Sequence, residues 1–569
     1  KLHASLYLGH LEATAGLRVD TRTVEAQAKM VLDLQQIAPL LGTNTQRWLS
    51  QFSWESPPKI DARAVLVLPA WTNAHPNWRQ DIWPTVIVEG NFAGTNGAFR
   101  EVQVATASSH FSFTNLIWHL PDLVIRRPEG QLQLAYTGDT RTREYHFAID
   151  SSLDLKVLKP VLDKGPQKAL DYFQFSGPPL VQGEIWGRWF APELIGFAGR
   201  VAATNFVFRE ERCSDFSAAV RFTNSLFRLA DVQIRRDEQR ITAPDVTVDL
   251  TRQIVEVTNA VSTMDPHLAA KVIGPKVLKA ITPYRFAVPP TVHVNGRLPI
   301  VDESDADVTF ELQGGSFSYW RFNVPRLAAR LRWRGETLAI SNLQADFYGG
   351  HLDWEGGFDF TRHHGADFHF KGTVTDTDLR LLMADLVTST NQLEGVLNGH
   401  LEIVSANSED WQSWRGFGKA DLRDGFLWNI PIFGIFSPLL NAISPGLGSS
   451  KASSGSATFT IVNSIIHTKD MQVRARGVRL HYDGTVDFQG NLNARMEAQL
   501  LRDTWILGRL FSLAFWPLTK LFEYKIAGTL NHPKTDLLYI PKFLMLPLQP
   551  FQTLKGLLQE SKIRSEEIK

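Results

Sequence analysis

Hydrophobic and polar residues alternate over most of the chain. Phe111 and Phe113 are separated by one polar residue, and so are Phe358 and Phe360. A period of two is typical of β-strands that have one apolar face and one solvated face. Turn sequences such as Gly314-Gly315 separate the alternating runs. The pattern predicts a mainly β protein built from antiparallel meanders.

A second pattern recurs at four aspartates. Asp33, Asp154, Asp265 and Asp378 lie 121, 111 and 113 residues apart, and apolar residues follow at the fourth, seventh and eighth positions. Aspartate is a favoured helix N-cap, and this spacing places the apolar side chains on one stripe of a helix. The fourth copy departs from the pattern, because Asp385 occupies its seventh position. Each repeat is therefore predicted to open with one short amphipathic helix.

Double prolines at 57–58, 178–179 and 289–290 follow the first three of these helices. Proline cannot extend a helix or occupy a central strand, so each pair marks the change from helix to strand. About 90 residues then remain in each repeat, which is room for about five or six strands. The predicted organisation is a partial repeat at 1–31, β-groove repeats at 32–152, 153–263 and 264–376, a terminal repeat at 377–502, and an amphipathic helical tail at 503–569.

The apolar face of such a sheet must be shielded from water. Two sheets could pack face to face as sandwiches, or one sheet could curl into a trough that holds an apolar ligand. One helix per repeat is too small to cover five or six strands. We therefore expect an elongated repeating β-groove, a long curved apolar trough. The residues predicted to line it are Phe111, Phe113, Phe206, Phe208, Val308, Phe310, Leu312, Phe358, Phe360, Phe368, Phe370, Phe459, Ile461, Val486 and Phe488.

Composition narrows the function. Lys and Arg total 59, as do Asp and Glu, so no long-range field attracts nucleic acid. Cys213 is the only cysteine, which excludes an intrachain disulfide and a cysteine metal cluster. The longest uncharged stretch, 425–450, contains Pro431, Pro438 and Pro445 and is not expected to span a membrane. The sequence at Lys1 is that of a strand interior, and we expect a membrane anchor to precede it.

The sequence offers little for catalysis. It contains no Walker-type phosphate loop, no His-Glu-x-x-His motif and no Gly-x-Ser-x-Gly motif. His363, His364, Asp367 and His369 match no recognised set of metal ligands, and the first two are predicted to form a hairpin turn. We therefore expect a protein that is not an enzyme and that has no cofactor or metal.

An amphipathic stretch near the end of the chain is broken at Pro517. Its apolar residues include Trp505, Leu510, Phe515 and Trp516. Two interpretations stay open: a lid packed over the last strands, or a helix that docks on a membrane surface or a partner protein.

Residues 416–431, 456–461, 480–492 and 526–530 resemble, in order and spacing, the conserved C-terminal region of AsmA-like proteins. The first of these segments reads GFGKADLRDGFLWNIP. The AsmA-like superfamily, which includes TamB and YhdP, is similar to the bridge-like lipid-transfer proteins built from repeated β-grooves. The resemblance implies an anchor in the inner membrane and a location in the periplasm of a Gram-negative-type envelope. It also implies transfer of glycerophospholipids between inner and outer membranes, in support of outer-membrane biogenesis, with acyl chains as the bound partner. An envelope protein could bind the C-terminal tail.

Two other functions remain open at this point. The first is an all-β protein that binds or degrades polysaccharide, because exposed tryptophans stack on sugars. It requires Trp186, Trp189, Trp320, Trp333 and Trp354 in one solvent-facing cleft with paired carboxylates. The second is a scaffold that assists the assembly of outer-membrane proteins by strand pairing.

Overall fold

The computed structural model describes most of the chain. The described residues are 1–6, 9–161, 167, 170–273, 278, 281–300, 306–319, 321–362, 364–386, 394–427, 431–443, 446, 448–500, 520–530 and 532–539. They form two compact units: the first holds the described residues within 1–264, 268–274 and 294–302, and the second holds the others. The prediction of an amphipathic helical tail at 503–569 is wrong for the part of it that is described, because 520–529 and 533–539 are β-strands. The first of these strands pairs with the strand at 491–500 and buries Phe522 and Ile526, four positions apart, on one face of the sheet. The rest of the predicted tail lies outside the described residues.

The first unit is an open antiparallel sheet in which neighbours in sequence are neighbours in space. Its strands are β1 (Leu2–Leu6), β2 (Gly9–Arg18), β3 (Thr23–Val31), β4 (Phe52–Trp54), β5 (Lys59–Val67), β6 (Ile87–Phe99), β7 (Val102–Thr114), β8 (Ile117–Arg127), β9 (Gly130–Asp139), β10 (Glu144–Ser151), β11 (Phe173–Phe175), β12 (Leu180–Arg188), β13 (Ala191–Phe208), β14 (Glu211–Thr223), β15 (Leu226–Arg236), β16 (Gln239–Asp249) and β17 (Ile254–Ser262). The long strands pair in chain order. The short strands β4 and β11 pair with the C-terminal ends of β6 and β13.

The second unit continues the same plan. Its strands include β18 (Tyr284–Val288), β20 (Asp307–Gly314), β21 (Ser316–Tyr319), β22 (Phe322–Val324), β23 (Leu327–Arg334), β24 (Thr337–Phe347), β25 (Gly350–Asp359), β26 (Asp367–Asp378), β27 (Glu394–Asn407), β28 (Arg415–Phe426), β29 (Ala452–Val462), β30 (Ile465–Ala475), β31 (Val478–Asp487), β32 (Asn491–Leu500), β33 (Lys520–Thr529) and β34 (Pro533–Tyr539). Strand β19 (Thr291–Pro299) has residues in both units. Strands β18, β21 and β22 form a separate small sheet.

The mainly β, antiparallel fold predicted from the alternation is confirmed, with 67% strand and 11% helix. The repeating character of the sheet is confirmed as well. Between the first two capping aspartates lie the short β4 and six longer strands, and between the second and third lie β11 and six longer strands. The count agrees with the upper end of the expected five or six.

The α-helices of the described residues are short: α1 (Leu34–Ile37), α2 (Thr43–Leu49), α3 (Pro266–Ile273), α4 (Leu379–Leu386), α5 (Pro431–Gly434) and α6 (Ser437–Ile443). Helices α1, α3 and α4 begin directly after Asp33, Asp265 and Asp378, as predicted, whereas Asp154 is followed by a turn and a 3₁₀ helix (Lys159–Val161). Helices α2, α5 and α6 were not predicted. The carboxylates of the four recurring aspartates each accept a hydrogen bond from the backbone N–H two residues later, at 2.8–3.0 Å: Gln35 on Asp33, Lys156 on Asp154, His267 on Asp265 and Arg380 on Asp378. The repeated aspartate is thus a repeated cap.

The exception at Asp385 has a structural reason. Its carboxylate accepts hydrogen bonds from the Tyr348 hydroxyl and from the Asn323 side-chain amide, both at 2.7 Å. Burial, together with this carboxylate, raises the pKa of Tyr348 to about 12. In this repeat the helix is therefore attached to the strands by polar contacts where the other helices carry an apolar residue.

The largest apolar core lies in the last part of the second unit. Phe433 and Phe436, together with Leu440 of α6, pack on a buried sheet face that includes Tyr482 and Met496. The uncharged stretch at 425–450 is thus used in part to cover strands, and the described residues contain no helix long and apolar enough to cross a membrane. The other buried apolar clusters have only three or four fully buried members each.

The aspartate caps make a testable prediction at α4. The Asp378 carboxylate accepts from the N–H groups of Arg380 and Leu381 at 2.8 and 3.2 Å. Replacing it with alanine should cost about 1 kcal/mol of local stability, because two N–H groups lose their acceptor. Amide hydrogen exchange across Leu379–Leu386 should become about fivefold faster. Asp378→Asn keeps the acceptor oxygen and should exchange like the wild type; equal acceleration in both variants would show that capping is not the cause.

Candidate functional site

The strands of the first unit share one apolar face. Directly opposed residues in an antiparallel pair point to the same side. The register opposes Phe222 to Phe227, Phe227 to Val248 and Val248 to Val255, so one row crosses four strands. A second row, through Val220, runs beside it. The apolar alternation in the sequence therefore gives an apolar surface that continues from strand to strand.

The second unit has the same arrangement. Its register opposes Leu338 to Phe358, Phe358 to Phe368 and Phe368 to Ala406. Most of the large side chains in this row are only partly buried. The face is therefore neither a closed core nor fully exposed.

The opposite face carries charge. Arg228, which lies between two apolar-face residues of β15, donates to Asp245 at 2.8 Å. Arg332 of β23 donates to Asp307 at 2.9 Å. The hydrogen bonds to these carboxylates raise the pKa of each arginine. Exposed pairs of this kind contribute little stability, but they keep one side of the sheet hydrated and so leave the other side as the candidate binding surface.

Aromatic rings concentrate on the apolar face of the second unit. We call the set Trp333, Trp354, Phe358, Phe360, Phe368, Phe370, Trp411, Trp414 and Phe488 the aromatic row. Contacting ring centroids are 5.2–6.3 Å apart, with Trp411–Trp414 at 5.2 Å and Phe358–Phe360 at 6.3 Å. The contacts Trp333–Phe360 (5.5 Å), Phe358–Phe368 (5.8 Å), Phe368–Trp414 (5.3 Å) and Trp414–Phe488 (5.5 Å) fall within this range. These are ordinary distances for interacting rings. The row makes a broad and continuous patch of ring surface.

Glycines stand opposite two rings of the apolar face. Gly372 faces Trp354 across the strand pair, and a Cβ placed there would lie 3.2 Å from the indole Cδ1. Gly418 faces Phe459, whose ring would be 2.4 Å from such a Cβ. The rings therefore lie over the backbone of the neighbouring strand. Sequence reasoning missed this feature, although glycine inside an alternating strand is a known signal of close approach.

The structure divides the fifteen predicted groove residues into groups. Phe113, Phe206, Val308 and Ile461 are buried, Phe360 and Phe488 are exposed, and the remaining nine are partly buried. Five of the fifteen belong to the aromatic row, and three more lie beside it on β29 and β31. Phe113 is shielded by Trp83, at 6.0 Å between ring centroids. Phe206 and Phe208 pack with Phe173 of the short strand β11.

Protein already covers parts of the apolar face. Helices α5 and α6 lie over the last strands, as described above. Leu312 packs beside the small sheet, near Phe317 and Val324. Other parts of the apolar face are only partly covered. They include the Phe222 row in the first unit and the aromatic row in the second. The predicted docking residues Trp505, Leu510, Phe515 and Trp516 lie outside the described residues.

The histidine cluster does not form a metal site in the described residues. Asp367 is ion-paired with Arg362 at 2.6 Å and accepts from the Asn407 amide at 2.8 Å. No group of three or more potential ligands occurs in the described part of the chain, and His363 lies outside it. A cleft of about 890 Å³ adjoins this turn, lined among others by Asp359 and His369.

The five tryptophans required by the polysaccharide hypothesis are distributed over the chain. Trp186 and Trp189 belong to the first unit, Trp333 and Trp354 to the second, and Trp320 lies outside the described residues. Trp333 and Trp354 stack on phenylalanines of the aromatic row. Their indoles are thus part of an apolar surface.

Comparison with known proteins gives no identification. No family model matches the chain, and no curated protein matches it. The residues and their arrangement are therefore the basis on which a function can be proposed.

The contact between Gly372 and Trp354 can be tested directly. Gly372→Ala should push the indole away by a few tenths of an ångström, because the new Cβ would meet Cδ1 at 3.2 Å. With 5-fluorotryptophan incorporated, the Trp354 resonance, assigned with Trp354→Phe, should shift in the ¹⁹F spectrum. Gly16→Ala is the control, since nothing lies within 4 Å of its Cβ position. An unshifted Trp354 resonance would contradict the contact.

Proposed function

We propose that this chain is a lipid-transfer protein that holds acyl chains on the apolar face of its repeating sheet and does not catalyse a reaction. The single observation that carries the proposal is the continuity of the partly buried apolar rows, with charge on the opposite face. A surface of this kind is costly in water unless something apolar covers it. Acyl chains are suitable, since they are long and flexible and need no specific partner groups.

The free energy of burying an acyl chain on the sheet favours reversible binding over tight binding. Each methylene removed from water contributes about 0.8 kcal/mol. An acyl chain of about 16 carbons that is half-covered would gain roughly 6 kcal/mol on this basis. A bilayer offers an acyl chain at least as much stabilisation, so lipid can leave the sheet again at a membrane. This balance is what a carrier requires.

The finer features of the proposal rest on the resemblance to AsmA-like proteins. They are a curved trough, glycerophospholipid as cargo, a periplasmic path between inner and outer membranes, and a role in outer-membrane biogenesis. An anchor in the inner membrane and a docking role for the C-terminal tail belong to the same proposal. The repeat of capped helices and six-stranded segments supports it, because that resemblance implies such a repeat.

The proposal predicts a face-specific effect of charge. Phe459→Asp places a carboxylate on the apolar face, and Thr460→Asp places one on the opposite face of the same strand. The first variant should reduce binding of a phosphatidylethanolamine with a fluorescent acyl chain by about tenfold, given the loss of one buried aromatic contact. The second should bind like the wild type. Lipid extracted from the purified wild-type protein should contain phospholipid by mass spectrometry.

A second variant separates loss of binding from loss of folding. Phe360 is already 40% exposed, so Phe360→Asp should leave the circular dichroism spectrum and the unfolding midpoint unchanged while it weakens probe binding. Wild-type protein that contains no lipid and does not bind the probe would refute the proposal. So would equal binding by the wild type, Phe459→Asp and Phe360→Asp.

A further inference from the structure

One connection in the first unit displays tryptophans to solvent. Residues 68–86 link β5 to β6, and we call them the tryptophan loop. Trp71 and Trp78 are each 60% exposed, and Trp83 is also exposed although its ring contacts Phe113. Monomeric proteins rarely expose several large aromatic side chains together, so three exposed tryptophans in one connection indicate an interaction surface.

The loop holds these rings in a defined arrangement. The Asn77 side chain accepts from the N–H groups of Arg79 and Gln80 at the start of a one-turn helix. Ile82 of this turn is buried, whereas Trp78 points to solvent. The Thr85 hydroxyl accepts from the backbone N–H of Val67 at 3.0 Å, which closes the loop on its own strand.

Trp71 extends the arrangement towards the neighbouring hairpin. Its indole N–H donates to the carbonyl of Val19 at 3.3 Å, and Val19 is itself exposed at the tip of the β2–β3 turn. Prolines at 69, 76 and 84 restrict the loop further. The rings are therefore exposed on an ordered support.

The same end of the sheet exposes aromatic residues in the next repeat. Strands β12 and β13 hold the positions that β5 and β6 hold in the first repeat, and Trp189 and Phe190 form their connection. Phe190 is 90% exposed, with the Arg143 guanidinium 5.6 Å from its ring centroid. Alternate turns of an antiparallel meander lie at one end of the sheet, so both connections face the same way.

From this geometry we propose that the tryptophan loop docks the protein on a zwitterionic phospholipid surface. Tryptophan prefers the interface between headgroups and acyl chains, where its ring is buried and its N–H stays near polar groups. The loop carries one arginine, Arg79, and one aspartate, Asp81, so it gains nothing from anionic lipid. A bilayer also requires no matching shape, whereas a stable protein interface needs about 800 Å² from each partner. This docking surface is distinct from the acyl-binding face and does not depend on that proposed function.

The test uses the full chain and vesicles of pure phosphatidylcholine. The double variant Trp71→Ala/Trp78→Ala should reduce the protein that floats with the vesicles by at least about tenfold, because two interfacial rings are lost. Trp48→Ala is the matched control: Trp48 is 56% exposed but belongs to α2, at the opposite end of the strands. It should float like the wild type.

A labelled position reports insertion. Ala74→Cys in a Cys213→Ser background, carrying an environment-sensitive dye, should shift its emission to shorter wavelength on the same vesicles. Phe459→Asp should retain both flotation and the dye shift, which separates docking from acyl binding. Three outcomes would overturn the proposal. They are equal flotation of the double variant and the wild type, binding only to anionic vesicles, and no shift of the dye emission on the phosphatidylcholine vesicles.

Discussion

The requirement to shield one face of a two-faced sheet governs this molecule. Away from the bulges, each strand places every second side chain on the same side, and the large residues there include Phe, Trp, Leu, Ile and Val. The charged residues between them stay in water as exposed pairs such as Arg228–Asp245. The side chains of the Phe222 row are only partly buried, and those of the aromatic row are partly buried or exposed. Short helices and single aromatic residues cover the apolar side in places, as Trp83 covers Phe113.

Much of the fold was predictable because it depends on local rules. The period of two predicted the strands, and the four aspartates predicted the caps that accept from Gln35, Lys156, His267 and Arg380. These two signals work from sequence because each depends on residues within about one turn of one another. The double prolines were expected to mark the change from helix to strand, and that expectation is wrong: each pair stands between a short strand (β4, β11 or β18) and the long strand that follows it.

What the sequence did not predict depends on contacts between distant residues. The cover over Phe113 comes from Trp83, in a loop with no counterpart of its length in the next repeat. Inside β15, Asp231 adopts a left-handed conformation (φ 51°), and the register with β14 shifts nearby. This bulge keeps Leu229 and Val232, three positions apart, in the same apolar cluster. A strict alternation assigns those two residues to opposite faces. The sequence therefore predicted which residue types form the apolar face. It did not predict which of them are buried by other parts of the protein, nor the packing of rings over glycines of the neighbouring strand.

Pairing between neighbours in sequence also affects how the chain reaches this structure. Almost every long strand bonds to the strands immediately before and after it. Such contacts close short loops, for which the entropic cost is small, and they do not require the two termini to meet. Each hairpin can therefore template the next one while the polypeptide is still being synthesised. A growing edge of this kind accepts one strand after another, which allows the order of assembly to follow the order of synthesis.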